Sequence, residues 1–300
     1  MKVSFLCPKP DSPSGGVFFI HKIVQTLNEI GIDAKVVQTT PFDCWWDANP
    51  ISADYITTTE NAPRDVDVLV VPEVMHGYKD TFGAKRVMTF VQNTMWMDKS
   101  LKWDGVELLV CSAYLRNHME RNYQQAKVVG KLTPFLEEGV WKPTPKTANK
   151  VMVSSRRNNY FKDVRKLLEE AGYEVLFLDG SLNQRELAFA MSSCEYYVHL
   201  VHPEGFPMAF LEAMRMGTLV VGTTGRGGIE FMHNKETAMV VPDPIAGHYD
   251  RSEFAPRIME SINYLRNDAN ERDRIWRRAY DWSLRYNKDS LIKELKEVFK

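Results

Sequence analysis

Residues 196–221 leave the chain few folds to choose from. The apolar run Tyr196-Tyr197-Val198-His199-Leu200-Val201 reads as a buried strand, and Gly205, Phe206 and Pro207 then turn the chain into a helix carrying Ala209, Phe210, Leu211, Ala213 and Met214. Gly217 leads into a second strand over residues 218–221. Strand, tight loop, helix, strand is a βαβ unit. Such units bind ligands beyond the carboxyl ends of their parallel strands, beside helix N-termini.

The same alternation runs through the rest of the chain. A strand over residues 2–7 is followed by a loop ending in Gly15-Gly16, then by a helix with Val17, Phe18, Ile20, Ile23, Val24 and Leu27 that stops at Gly31. We read Gly15-Gly16 as a turn in which glycine tolerates positive φ and lets backbone approach a ligand. Further strands are predicted at 33–37, 66–71, 86–91 and 107–111, and a helix at 113–123 closes this half. Residues 142–150, rich in Pro and Lys without apolar periodicity, read as a linker. Beyond it come a strand at 151–154, a helix with Val164, Leu167 and Leu168, a strand at 174–178 and a helix at 185–191. A chain of 300 residues suits about two domains at ~150 residues each. The pattern predicts an α/β chain with domains at 1–145 and 146–282 and a long helical C-terminus.

Composition excludes several classes. With 38 basic and 39 acidic side chains, no global charge announces nucleic acid. Cys7, Cys44, Cys111 and Cys194 are scattered without C-x-x-C or metal spacing, which predicts reduced packing residues and a cytoplasmic protein. The first residues read as a strand and not a signal peptide, and no apolar run approaches the ~20 residues of a membrane span.

Two carboxylates bracket the helix start in the βαβ unit: Glu204 in the loop and Glu212 eight positions on. Along a helix eight residues rise roughly 12 Å, wider than the ~5–9.5 Å at which paired carboxylates flank one glycosidic bond. They are therefore expected to touch different parts of one long ligand, with the exposed N–H groups at the helix start facing a phosphate between them. A nucleotide diphosphate sugar has that shape. Helix-dipole pairing for Glu204 and a solvated position near Arg215 for Glu212 are the plain alternative.

The ordered string Glu204-Gly-Phe-Pro-Met-Ala-Phe-Leu-Glu212, then Gly217-Thr-Leu-Val-Val, Gly227-Gly-Ile-Glu230 and Ala238-Met-Val-Val-Pro242, resembles the retaining glycosyltransferases of family 4 with their E-x7-E motif. The resemblance implies a GT-B fold: two Rossmann-like domains facing across a cleft, with a C-terminal helix, about residues 283–300, crossing back to the first. It implies an acceptor domain at 1–145 and a nucleotide-sugar domain at 146–282. Glu212 would hold ribose. Arg157 and Lys162 would hold the diphosphate of a UDP- or GDP-sugar in place of a metal, Glu204 would act at the donor sugar, and Gly15, Gly16, Phe206, Pro207 and Met208 would line the donor. Metal-independent transfer fits the lack of Asp-x-Asp or a His/Asp cluster in the donor region, and no cofactor is implied beyond the donor substrate.

The acceptor is left open among a glycan, a small molecule, and a hydroxymethylated base in DNA. The aromatic loops Phe42-Asp-Cys-Trp-Trp46 and Asn93-Thr-Met-Trp-Met-Asp-Lys-Ser-Leu-Lys-Trp103 could stack on a sugar or base, or simply pack over the domain surface. Many family members carry a histidine where Gln92-Asn93 stands, with His76 the substitute here. The alternative activities are nucleotide-sugar epimerisation and nucleic-acid binding through Arg272, Arg274, Arg277 and Arg278, a cluster that also reads as a solvated face.

Overall fold

In the computed structural model, which describes residues 1–80, 82–97, 103–154, 161–178, 180–200, 203–242 and 251–300, every strand pairing is parallel. The chain divides into two units: Met1–Phe135 with Lys288–Lys300, and Leu136–Asn287. Leu136 and Trp141, ahead of the Pro/Lys-rich stretch, are already buried in the core of the second unit.

The first unit runs β1 (Lys2–Cys7), α1 (Gly15–Glu29), β2 (Asp33–Gln38), β3 (Ile56–Thr58), β4 (Val68–Pro72), β5 (Arg86–Val91), β6 (Glu107–Val110), α2 (Ala113–Asn122) and β7 (Lys127–Lys131). Its sheet order is β3-β2-β1-β4-β5-β6-β7. Strands β3 and β7 were not anticipated. Both are edge strands, one of three residues and one flanked by lysines, so neither carries the apolar run of a buried strand. Nor do Gly15 and Gly16 form a turn. Neither has positive φ, and they open α1 behind the cap Ser14, whose Oγ accepts from Val17 N at 3.4 Å. A Cβ at 16 would lie 2.0 Å from Gln92 Oε1, so a larger residue there would displace the end of that side chain.

The second unit runs β8 (Lys150–Ser154), α3 (Phe161–Glu170), β9 (Glu174–Leu178), α4 (Gln184–Ser193), β10 (Tyr196–His199), α5 (Met208–Arg215), β11 (Leu219–Gly222), β12 (Met239–Val240), α6 (Phe254–Asn267) and α7 (Ala269–Ser283). Sheet order is β12-β11-β10-β8-β9. Strand residues alternate between two cores: Val151, Val153, Tyr196, Val198, Leu219 and Val221 pack with α3 and α6, while Met152, Tyr197 and Val220 pack with α4 and α5. That period of two, with helices on both faces, is why these strands read as continuous apolar runs.

Helix α8 (Lys288–Val298) belongs to the first unit, burying Leu291, Leu295 and Val298. Glu294 ties it down: its carboxylate accepts from Thr133 N at 2.6 Å and Thr133 Oγ1 at 2.8 Å. Gly130 leaves room for Val298, which a Cβ would meet at 2.4 Å. Glu294→Ala strands both Thr133 donors and is expected to lower stability by about 1–3 kcal/mol in urea denaturation; an unchanged midpoint would refute the tie.

Candidate functional site at the carboxyl edge of the second sheet

In the second unit, β10 lies between β8 and β11, so the segments leaving these three strands share one sheet edge. After β8 come residues 155–160, with Arg157 outside the described residues, and then Lys162, exposed on the first turn of α3. After β10 comes Glu204, half-buried, followed by α5. The cap of α5 is Pro207, which offers no side-chain hydrogen bond, so its first amide groups have no side-chain cap. After β11 comes Thr223-Thr-Gly-Arg-Gly-Gly228. The structure thus brings Lys162, Glu204 and the start of α5 to the edge where open α/β sheets bind ligands.

The spacing argument for the two glutamates needs correction. Only the stretch from Met208 to Glu212 is helical, so the 12 Å rise does not apply to the loop. Glu212 is not solvated either; it is 7% exposed, and burial together with the charge of Glu204 pushes its carboxyl up to about 8. Arg215 is not its partner. That guanidinium is buried against the end of α7, Nε donating to Ser283 Oγ at 2.9 Å and Nη2 to the Ser283 carbonyl at 2.6 Å. Phe206 sets its ring edge-on to Phe231 and tilted to Tyr286, so its side chain belongs to a packed aromatic cluster, and any ligand contact falls to its backbone.

Two residues here escaped the sequence reading. His199 ends β10, buried, with Nδ1 3.2 Å from Tyr197 Oη, Nε2 without a partner among the described residues and its ring edge-on to Phe210 at 4.0 Å. Burial pushes it down to about 3, so it is neutral near pH 7. Arg226 has φ 68° and ψ −58°. Its one sequence signal was the glycines around it. Gly227 and Gly228 are pressed onto the α5 entry: a Cβ would meet the Gly205 carbonyl oxygen at 2.1 Å or the Phe210 ring at 2.9 Å, respectively.

The carboxyl edge of the first sheet carries polar and aromatic groups of its own. Glu73, after β4, accepts from Asn93 N at 2.8 Å, and burial raises it to about 7. Gln92 Nε2 donates to the Gly16 carbonyl at 3.3 Å. His76 faces inward, bonded to Thr89 Oγ1 at 2.8 Å and stacked on Trp103, and so packs as a core histidine. Trp46 and Trp103 are buried, whereas Trp45, Tyr78, Met95 and Trp96 are exposed after β2, β4 and β5. His21 and Lys22 of α1 are buried too, Lys22 against Asp47 at 3.0 Å. Among the described residues no cluster of His, Cys, Asp or Glu could hold a metal, and no helix is long and apolar enough to cross a membrane.

Residues 146–282 match the family described as glycosyl transferases group 1. That stretch lies inside the second unit and contains every residue of the edge described above. No curated protein matches the chain in sequence. Solved structures share the fold over the whole chain. Sucrose-phosphate synthase from Thermosynechococcus elongatus superposes with TM-score 0.72 at 12% identity, covering 99% of this chain and 98% of that one. A pneumococcal O-GlcNAc transferase, GtfA, in complex with UDP and GlcNAc gives 0.70 at 7% identity, covering 99% and 98%. An alpha-glucosyltransferase in complex with UDP and a 13-mer DNA containing an HMU base gives 0.66 at 13% identity, covering 100% of both chains. The fold is therefore the GT-B arrangement of two Rossmann-like domains, and the group 1 match supports a glycosyltransferase.

The raised carboxyl of Glu212 makes a pH prediction. Its ordinary value is 4.5 and its folded value about 8, so the protonated form is the one the fold prefers. That contribution is fully present below pH 4.5 and is lost as pH rises to about 8; Glu73 acts in the same direction up to about 7. Glu212→Gln removes the first of these. It should raise stability at pH 8.5 by roughly 3–5 kcal/mol while changing little at pH 4.5. Equal melting shifts at both pH values would contradict it.

Proposed function

We propose that this protein is a retaining, metal-independent glycosyltransferase that moves a hexose from a UDP- or GDP-sugar to a hydroxyl acceptor, in the cytoplasm. The observation that carries the reading is the group 1 match over 146–282 together with a half-buried Glu204 and a buried Glu212 around the start of α5.

In this reading the second unit binds the donor and the first presents the acceptor. The diphosphate sits on Arg157, Lys162 and the free N–H groups at the start of α5, beside Phe206, Pro207 and Met208, where cations neutralise the leaving group as its charge develops. Glu212 accepts from ribose hydroxyls. Because burial and the neighbouring Glu204 hold it protonated near neutral pH, binding to the carboxylate releases a proton, and nucleotide affinity should rise with pH up to about 8. Glu204 stabilises positive charge at the anomeric carbon. Gly15 and Gly16, which open α1 after β1, are further donor-lining residues in this reading.

The tests separate these roles. A thermal-shift panel of nucleotide-sugars identifies the donor, and NMR of the product should show the anomeric configuration of the donor unchanged. EDTA should leave the rate intact; complete loss reversed by Mg²⁺ would sink metal independence. Glu204→Ala should lower kcat by about 100-fold or more with nucleotide affinity preserved. Glu212→Ala should weaken UDP or GDP binding by roughly 1–3 kcal/mol. If Glu204→Ala turns over normally and loses only affinity, the assignment of the two glutamates is wrong.

One observation favours a second reading of the acceptor. Trp45, Tyr78 and Trp96 stand exposed after the carboxyl ends of β2, β4 and β5, and exposed rings can stack on a base held out of a duplex. A hydroxymethylated pyrimidine in DNA is then the acceptor, the kind of base present in the DNA complex of one structural neighbour. Transfer of labelled hexose to such a duplex tests it, and an epimer formed from donor alone would instead identify a nucleotide-sugar epimerase.

A further inference from the structure

Arg226 occupies a position that its chemistry does not suit. Its φ of 68° and ψ of −58° define the left-handed γ-turn, closed here by Gly227 N donating to the Gly225 carbonyl at 2.9 Å. That turn is rare and strained for a residue with a side chain. The segment Gly225-Arg-Gly-Gly228 has three glycines, yet its one side chain stands where a glycine would relieve the strain.

The surroundings hold the turn in place. Glu204 N donates to the Gly225 carbonyl at 2.7 Å, Gly227 N donates to the Glu204 carbonyl at 3.0 Å, and Glu204 and Arg226 form a parallel bridge. Their backbones therefore lie about 5 Å apart. The guanidinium is exposed and makes no ion pair or side-chain hydrogen bond with any described residue. A strained backbone fixed by three hydrogen bonds thus presents an unengaged cation beside Glu204.

Strand order says what that cation faces. Glu204 leaves β10, Lys162 follows β8 on one side, and Arg226 follows β11 on the other. On the proposed function, on which this inference rests, the diphosphate charge is met from the β8 side and the hexose at Glu204 is neutral. A guanidinium on the β11 side has no donor charge left to meet.

We propose that Arg226 is an acceptor-binding residue that contacts a phosphate carried by the acceptor. A planar fork of five donors suits a phosphate monoester or a phosphodiester equally. The class of acceptor is accordingly a phosphorylated sugar or a nucleic-acid strand. The neutral overall charge favours one such local contact over a broad basic surface.

The test uses the full chain saturated with UDP and three probes: fructose 6-phosphate, unphosphorylated fructose, and a short duplex containing hydroxymethyluracil. Titrations are run on the wild type, Arg226→Gly and Arg226→Lys. Wild type should bind one phosphate-bearing probe at least about tenfold tighter than fructose, and Arg226→Gly should weaken that probe by about 10- to 100-fold. Arg226→Lys should recover part of the loss. Fructose 6-phosphate as the sensitive probe identifies a sugar phosphate. Sensitivity of the duplex, with a salt slope reduced by about one unit in Arg226→Gly, identifies a phosphodiester.

Melting temperature gives a readout that a merely structural role would move the other way. Glycine adopts positive φ freely, so Arg226→Gly should melt at or above the wild-type temperature while losing the probe. A lower melting temperature, equal weakening of UDP, or no phosphate-bearing probe bound by wild type would each overturn the proposal. Loss of nucleotide-sugar binding by the wild type would instead reject the proposed function while leaving a phosphate effect at Arg226 standing.

Discussion

Two backbone hydrogen bonds, Glu204 N to the Gly225 carbonyl and Gly227 N to the Glu204 carbonyl, join the loops that leave β10 and β11, and the geometry of the candidate site depends on them. They fix Glu204 by its main chain, so the position of its carboxylate follows from the backbone. They also set the close approach of Gly227 to Gly205 and of Gly228 to the Phe210 ring, which aligns the entry to α5. Any side chain at 227 would collide with backbone that cannot yield, so the weld and the helix start form one unit of structure.

Burial then sorts the titratable groups. His199 is neutral because nothing compensates its desolvation, and Glu212 is held protonated near neutral pH by burial beside a second carboxylate. Among the described residues at the edge of the second sheet, Lys162 and Arg226 are exposed cations and Glu204 lies half-buried between their strands. An arrangement of few exposed charges over a neutral buried layer favours a ligand that supplies its own charge at defined points.

Much of this fold was legible because parallel strands covered on both faces are written as unbroken apolar runs: β1 and β5 fall at the residues their runs predict. Edge strands escape that rule, as Ile56-Thr-Thr58 and the lysine-flanked β7 show. Gly15-Gly16 was read as a left-handed turn, whereas the pair opens α1 and Gly16 lies close to the end of the Gln92 side chain. Glu204 and Glu212 were found from spacing and resemblance, but spacing could not say that the loop abandons helical rise. Nor could it say that Glu212 is enclosed. Arg226 was hidden because its significance lies in a backbone angle, and angles at single residues have no periodic trace in sequence.

Both units bury polar atoms that find no partner among the described residues. In the first, Lys22 meets Asp47 at 3.0 Å, His21 Nδ1 meets Cys44 Sγ at 2.8 Å and Glu73 accepts from Asn93, while His21 Nε2 and His76 Nε2 are left over. In the second, His199 Nε2 has no partner among the described residues, Glu212 is buried beside a like charge, and Arg226 holds a strained angle with its guanidinium unengaged by any described residue. Local inconsistencies of this kind are destabilising, and folds tolerate them where a ligand removes the cost. Those of the second unit lie within the stretch that matches glycosyl transferases group 1.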